Sequence, residues 1–504
     1  MELPILDLVV FFGYMLLIVL FGVSFSFKKR SSKDYITGGG KLPTWAIGMS
    51  IFATFVSSIS FLALPGNAYL SDWNGFVFSL SIPLAAVVAV LFFVPLYRRI
   101  ESNSAYFYLE QRFGLWARSY ASLFYLLTQI ARMGAILYLL ALPMNILLGW
   151  SIPTIILITG ISVTVYAMFG GIEAVIWTDA IQGIILIGGA LACIAVLFTS
   201  MPEGPGQIFD IAQAQDKMSL GSFEFNFTES TFWLILVYGL FINLQNFGID
   251  QSYIQRYISA KSNREAVKST LFGSLLYIPI SLLFFFIGTA LFAYYQAMPE
   301  LLPEQLQGME NADKIFPYFI VSALPKGITG LLVASIFAAG MSTVSTSVNS
   351  SATVILTDHI KRYLRPNLEH GSEMKVLLIA SLVMGLTGTM AALLLNGVTS
   401  ALDAWWALSS IFSGGILGLF LLGFISKKVS SKAAMIGVVC GVLVISWMSL
   451  SAFLPEDLAS YASNFHANLT IVLGTMTILL VGFLVTLFIP RPTTGDGHNL
   501  TIKQ

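Results

Sequence analysis

Charge is scarce in this chain. Only 10% of its 504 residues are charged, against roughly a quarter in an ordinary soluble domain, and that excludes an ordinary soluble enzyme. Cysteine is scarcer still: Cys193 and Cys440 are the only two. Both lie in apolar runs, so neither a disulfide framework nor a CxxC metal or redox site is available. The four histidines, His359, His370, His466 and His498, fall at segment ends, in loops or in the tail, which leaves no paired-histidine ligand spacing. The 26 basic and 26 acidic residues cancel, so there is no strongly basic face for nucleic acid and no acidic solvating tail. What is abundant is apolar: 56% of the residues are hydrophobic and the mean hydropathy is +0.82. The partner is a lipid bilayer.

A bilayer core about 30 Å thick needs about 20 apolar residues per helix. Thirteen such windows are expected, at 5–27, 44–71, 75–97, 116–147, 152–169, 174–200, 229–250, 268–296, 327–357, 374–396, 401–425, 432–453 and 467–489. The first is too long for a signal-peptide core, starts with Glu2 and Asp7 and ends on Lys28, Lys29 and Arg30, so it is expected to remain as a helix. Loops at 28–43, 98–115, 251–267, 358–373 and 426–431, with adjoining helix ends and the tail, hold 22 of the 26 basic residues, and the opposite side holds only Lys217, Lys314 and Lys326. The positive-inside rule then predicts an integral protein of the inner (plasma) membrane with its N-terminus outside and its C-terminus in the cytoplasm. The longest non-spanning stretches, 201–228 and 297–326, suit short helices or covers better than an enzyme module.

Two spans look broken. Span 2 reads FATFVSSISFLALPG, with Thr54, Ser57, Ser58 and Ser60 at its centre and Pro65 disrupting its far end. Span 7 reads YGLFINLQNFGIDQ, carrying Asn243, Gln245, Asn246 and Gly248 where a lipid-facing helix would have leucines. These spans open two successive five-helix sets, 2 to 6 and 7 to 11, the layout of an inverted-repeat secondary transporter; generic interior contacts are the plainer alternative. The division that follows is 1–43 for an extra helix and a cytoplasmic loop, 44–200 for the first repeat, 201–228 for an outside loop, 229–425 for the second repeat and 426–504 for two further helices and a tail.

A broken helix frees backbone carbonyls that protein, water or a cation must satisfy, and a sodium ion suits such oxygens. Span 9 offers a complementary face, because Ser342, Ser345, Thr346 and Asn349 lie at i, i+3, i+4 and i+7, with Thr343 beside them. Hydroxyls bonding back to the i−4 carbonyl are the structural alternative. Asp179, in GGIEAVIWTDAIQG, is expensive in a membrane unless neutralised by a cation or by a basic residue. Arg132, midway along span 4, cannot lose its charge. No acid lies within spans 2 to 5, so a carboxylate supplied by the solute is an attractive counter-ion; carbonyl contacts or a pairing with Asp179 are the alternatives.

The segments DYITGGGKLPTWAIGMSIFATFVSSISFLALPGNAYLSDW at 34–73, GGIEAVIWTDAIQG at 170–183, QSYIQRYISAKSNREA at 251–266 and IFAAGMSTVSTSVNS at 336–350 resemble the sodium:solute symporter family, nearest its bacterial sodium/sialic acid branch. The resemblance implies an all-α membrane protein with the leucine-transporter-like fold, two inverted five-helix repeats and one or two co-transported sodium ions. It implies a sodium site of the carbonyls of Ala53, Val56 and Ala339 with the hydroxyls of Ser342 and Thr343, and a second one of Asp179, Ser342, Ser345 and Thr346. For the solute it implies Arg132, Ser57 and Ser60. Phe55 stands where that branch has a threonine and Ser79 where it has a glutamine, and Asn243 completes the candidate pocket. The expected activity is alternating-access symport of a small organic solute, carboxylate-bearing as in sialic acid, by a monomer; a neutral sugar, uronate or monocarboxylate is the alternative cargo. A passive channel or membrane sensor on the same scaffold is the contrasting class, and an enzyme lacks a nucleophile–base pair or metal cluster.

Overall fold

The computed structural model describes residues 4–27, 31–100, 102–307, 312–396 and 401–489. Lys28, Lys29, Arg30, His498 and the rest of the tail lie outside the described residues, as do the side chains of Ser58 and His370. The described chain is helical and contains no strand, only an isolated bridge between Leu42 and Ala260. Its main helices are α1 (Ile5–Ser24), α2 (Ser32–Thr37), α3 (Thr44–Phe55), α4 (Ser58–Leu70), α5 (Asn74–Arg99), α6 (Phe107–Phe113), α7 (Leu115–Leu148), α8 (Ile152–Ser200) and α9 (Gly206–Ala214). They continue as α10 (Phe232–Ile249), α11 (Gln251–Ser259), α12 (Asn263–Ala297), α13 (Ala312–Ser322), α14 (Ile328–Leu364), α15 (His370–Leu394), α16 (Ala401–Ile425), α17 (Ser431–Leu450) and α18 (Leu469–Phe488).

Among the described residues ten helices are long and apolar enough to cross a membrane, and the bent pair α3–α4 makes an eleventh. Helix α8 merges two expected spans. At about 1.5 Å per residue, its 49 residues reach more than twice across a core of about 30 Å. Gly171, at φ +60° and ψ −166°, breaks it. Only glycine adopts that backbone without strain, and a Cβ there would also meet the Tyr35 carbonyl oxygen at 2.9 Å.

Span 2 breaks between α3 and α4, where Val56 and Ser57 are both extended and the two halves bend by 53°. The cause is local. Ser57 and Ser60 form a capping box, which starts a new helix and contributes about 0.5–2 kcal/mol. Pro65 does not disrupt the span as expected; it lies within α4, which continues to Leu70. The C-terminal end of α4 is held by Lys217, whose ammonium donates to the carbonyls of Tyr69, Leu70 and Ser71 at 2.8, 3.1 and 3.0 Å. Helix α3 packs against α12 through Gly48 and Gly273, where a Cβ on Gly273 would lie 2.3 Å from the Gly48 carbonyl oxygen.

Span 7 also breaks, but not at its amides. Helix α10 runs unbroken to Ile249, and Asp250 caps α11, accepting from Ser252 N at 2.8 Å. An acidic N-cap is what starts the second helix, so part of the expected loop 251–267 is helical. The freed carbonyls of Phe247, Gly248 and Ile249 each accept from a tyrosine hydroxyl, of Tyr257, Tyr97 and Tyr106, at 3.1, 2.5 and 3.2 Å.

The end of the bundle that carries the basic loops is tied together by ion pairs. Arg118 contacts Asp358 at 2.5 Å and Glu110 at 2.6 Å, Arg362 contacts Glu110 at 2.6 Å, and Lys361 contacts Glu373 at 2.6 Å. A cavity of about 540 Å³ opens there, lined in part by Lys33, Asn103, Lys361 and Glu373.

Candidate cation and solute site

The break in span 2 lies against the hydroxyl-rich face of α14. Ser342 Oγ donates to Asp179 Oδ1 at 2.7 Å and lies 3.4 Å from the carbonyl oxygen of Ala53. Thr343 Oγ1 donates to the Ala339 carbonyl at 3.2 Å, and Val56 is fully buried. The two helix breaks are therefore treated differently. Tyrosines close the one at Asp250, whereas among the described residues the Ala53 carbonyl meets a long contact from a hydroxyl that is already engaged. Carbonyl and hydroxyl oxygens held this way form a hard-oxygen set without a net charge of its own, which fits a monovalent cation that must be released again.

Asp179 is buried to zero exposure, and its neutralising partner is Arg256. Arg256 Nη2 lies 2.8 Å from Asp179 Oδ2 and 2.8 Å from Thr346 Oγ1, Nε lies 2.8 Å from Ser50 Oγ, and Nη1 lies 2.7 Å from the Ser252 carbonyl. Ser50 donates to Asp179 Oδ2 at 2.6 Å, and Ser345 Oγ donates to the Ser342 carbonyl at 3.1 Å. This network joins α3, α8, α11 and α14. Charge counting along the chain places Arg256 in an inner loop; in the structure it is fully buried. The capping sequence Asp250-Gln251-Ser252, which marks a second helix start, is the signal that points to it.

Arg132 has an acidic neighbour after all. Asp250, from the end of span 7, brings Oδ2 to 3.6 Å from Arg132 Nη1, and Arg132 Nη2 lies 3.4 Å from the Thr54 carbonyl. The expectation of no internal counter-ion is corrected, because the carboxylate comes from a span outside those searched. The pairing with Asp179 does not occur either, Asp179 being held by Arg256. Both contacts of Arg132 are long, and a guanidinium has five N–H donors, so donor capacity remains.

Phe55 packs edge-on against Phe247 and Tyr253 and tilted against Tyr277, with ring centroids 5.2 to 5.4 Å apart. Ser57 and Ser60 face each other across the first turn of α4, just beyond the break, at 3.4 Å. Ser79 Oγ pairs with Ser281 Oγ at 2.8 Å, and Asn243 Nδ2 donates to Ser81 Oγ at 3.0 Å while its Oδ1 is unpartnered. Ser79 and Asn243 are thus committed to interhelical bonds between α5 and, respectively, α12 and α10, whereas Arg132, Thr54 and Asp250 converge on one point.

A bundle with one helix broken at a hydroxyl-lined face, beside a buried carboxylate–guanidinium network, has the architecture of an ion-coupled secondary transporter. The sodium:solute symporter family model matches residues 35–441. The sodium/sialic acid symporter SiaT of Proteus mirabilis is 34% identical over 95% of this chain and 95% of its own length. The sodium/sialic acid symporter NanT of Aliivibrio fischeri is 32% identical over 95% and 92%. A solved structure of a Na+-coupled sialic acid symporter in a substrate-bound outward-open state superposes with a TM-score of 0.88 at 33% identity, covering 97% of this chain and 99% of that one. The chain belongs to the sodium:solute symporter family. It is a multi-pass membrane transporter whose co-transported ion is sodium.

Proposed function

We propose that this chain imports a carboxylate-bearing solute of the sialic acid type, together with sodium, by alternating access. Arg132 receives the carboxylate, Ser57 and Ser60 at the helix break offer hydroxyls to the solute, and Phe55, Ser79 and Asn243 border the pocket. One sodium is held by the carbonyls of Ala53, Val56 and Ala339 with Ser342 and Thr343. A second is attracted to Asp179, Ser342, Ser345 and Thr346. The reading rests on one observation above all: the Ala53 carbonyl freed by the break lies 3.4 Å from Ser342 Oγ, which itself touches Asp179 at 2.7 Å. The names of the two bacterial relatives support the choice of cargo. The protein works as a monomer in the plasma membrane, N-terminus outside, an orientation supported by the basic loops.

Sodium binding across the break holds α3, α4 and α14 in register, and that completes the solute pocket before the bundle rocks. Inward movement of one charge gains about 2.3 kcal/mol per 100 mV, and a tenfold sodium gradient adds about 1.4 kcal/mol. One ion then sustains a few-hundred-fold accumulation of a neutral solute. An anionic solute cancels one sodium's electrical contribution, so the second ion restores net inward charge.

The pairing of Arg132 with Asp250 favours a second reading, in which the pocket is already neutral and takes an uncharged sugar. A thermal-shift panel separates them. Sialic acids, uronates and monocarboxylates should stabilise the purified protein only with sodium present; stabilisation by neutral sugars alone would favour the second reading.

A further inference from the structure

Close to Asp179 lies a group of buried polar side chains whose hydrogen bonding is incomplete. Gln182 follows Asp179 by one turn of α8 and is almost wholly buried, yet among the described residues neither Oε1 nor Nε2 makes a well-aligned hydrogen bond. The hydroxyl of Tyr14, from α1, is likewise buried and lies within reach of that amide and of Asp179, though it makes no well-aligned hydrogen bond among the described residues. Tyr166, from α8 before its kink, brings its hydroxyl to the same place, close to Gln182 and Ser345, while donating to the Met341 carbonyl at 3.2 Å.

The hydroxyl and the amide can satisfy each other only in part, since the amide alone offers two donors and an acceptor oxygen with two lone pairs. A buried polar atom left short of partners is destabilising, and native interiors rarely tolerate one without a bound water or ion. The carboxylate is asymmetric in the same sense. Among the described residues Oδ2 of Asp179 accepts from both Ser50 and Arg256, whereas Oδ1 accepts from Ser342 alone. Each carboxylate oxygen has room for about two donors, so the open acceptor position belongs to Oδ1. An amide oxygen, several hydroxyls and one half-used carboxylate oxygen make a hard-oxygen set suited to a sodium ion. Because Arg256 already balances Asp179, the ion would be held weakly enough to leave.

We propose that Tyr14 and Gln182 are further binding residues of the second sodium, which is bound at Oδ1 of Asp179 while Arg256 holds Oδ2. This rests on the reading of Asp179 as a cation site. Its consequence is that α1, which precedes the ten-helix core, takes part in ion coupling.

The test uses the full chain in proteoliposomes and compares Tyr14→Phe, Gln182→Leu and Asp179→Asn, measuring uptake against sodium concentration at saturating solute and the sodium-to-solute flux ratio. Tyr14→Phe removes one oxygen and keeps the ring, so it should fold even if Gln182→Leu does not. Each of these two should raise half-saturating sodium about three- to tenfold and lower the flux ratio toward that of Asp179→Asn, with maximal uptake retained at high sodium. If Asp179→Asn lowers the ratio while the others match wild type, Tyr14 and Gln182 face only water and the inference is overturned. If none of the three changes the ratio, the second sodium itself is lost from the account.

Discussion

Replacing Ser342 with alanine separates two contributions of one hydroxyl. In the structure Ser342 Oγ donates to Asp179 Oδ1 at 2.7 Å and faces the Ala53 carbonyl at 3.4 Å. Without sodium, the loss of a hydrogen bond to a buried carboxylate should cost about 1.5–3 kcal/mol of stability. With sodium, one of five proposed ligands of the first site is missing, and Ser342 is also lost from the second. If that ligand is worth about 1.4–2.8 kcal/mol, half-saturating sodium rises roughly 10- to 100-fold. Ligand linkage distinguishes these effects, since sodium stabilises by RT ln(1 + [Na+]/Kd). The assay is a thermal-shift titration with sodium at constant ionic strength, set beside a matching potassium titration. Ser342→Ala should begin from a lower baseline and follow the same curve displaced to higher sodium. A lowered baseline with an unmoved midpoint would show that Ser342 only supports Asp179, and would refute its place among the sodium ligands.

Arg132→Ala should abolish uptake of a carboxylate solute, and Arg132→Lys should restore little of it, because an ammonium lacks the planar fork; sodium-induced stabilisation should persist in both, and unchanged uptake would remove Arg132 from the pocket. Lys217→Met takes the ammonium from three carbonyls at the end of α4; with water able to replace part of that bonding, about 1–2 kcal/mol of stability should be lost, read as a lower Tm together with a raised half-saturating solute concentration. At Glu110, burial works to raise the carboxyl's pKa, but Arg362 and Arg118 outweigh it and hold it below its ordinary value. The stability from this clamp should therefore be complete above the unfolded glutamate value of about 4.3 and fade as pH falls through the lower folded value. The Tm gap between wild type and Glu110→Gln should accordingly be largest near neutrality and close under acid, and a gap independent of pH would contradict the clamp.

Much of the architecture follows from local patterns. Apolar run lengths mark the helices, and the hydroxyls at Ser57 and Ser60 mark the break in span 2, because a capping box is encoded within four residues. The break in span 7 is harder to place. Asn243 and Gln245 look disruptive in a hydrophobic window, but Asn243 bonds across to Ser81, and the helix ends later, at the capping carboxylate of Asp250. Arg256 reads as an ordinary loop charge because its partner Asp179 is 77 residues away, and no spacing rule links positions so distant. The same holds for Arg132 and Asp250, whose meeting depends on how α7 packs against the junction of α10 and α11. Sequence patterns report which groups are too polar for lipid; the partners of those groups are set by tertiary packing.

The most direct measurement is accumulation of radiolabelled sialic acid by proteoliposomes containing the purified chain, with an inward sodium gradient or an equal potassium gradient at the same pH and membrane potential. Internal solute should rise well above the external concentration with sodium and only equilibrate with potassium. Equal uphill accumulation in potassium would contradict the coupling of solute to a cation held between α3 and α14.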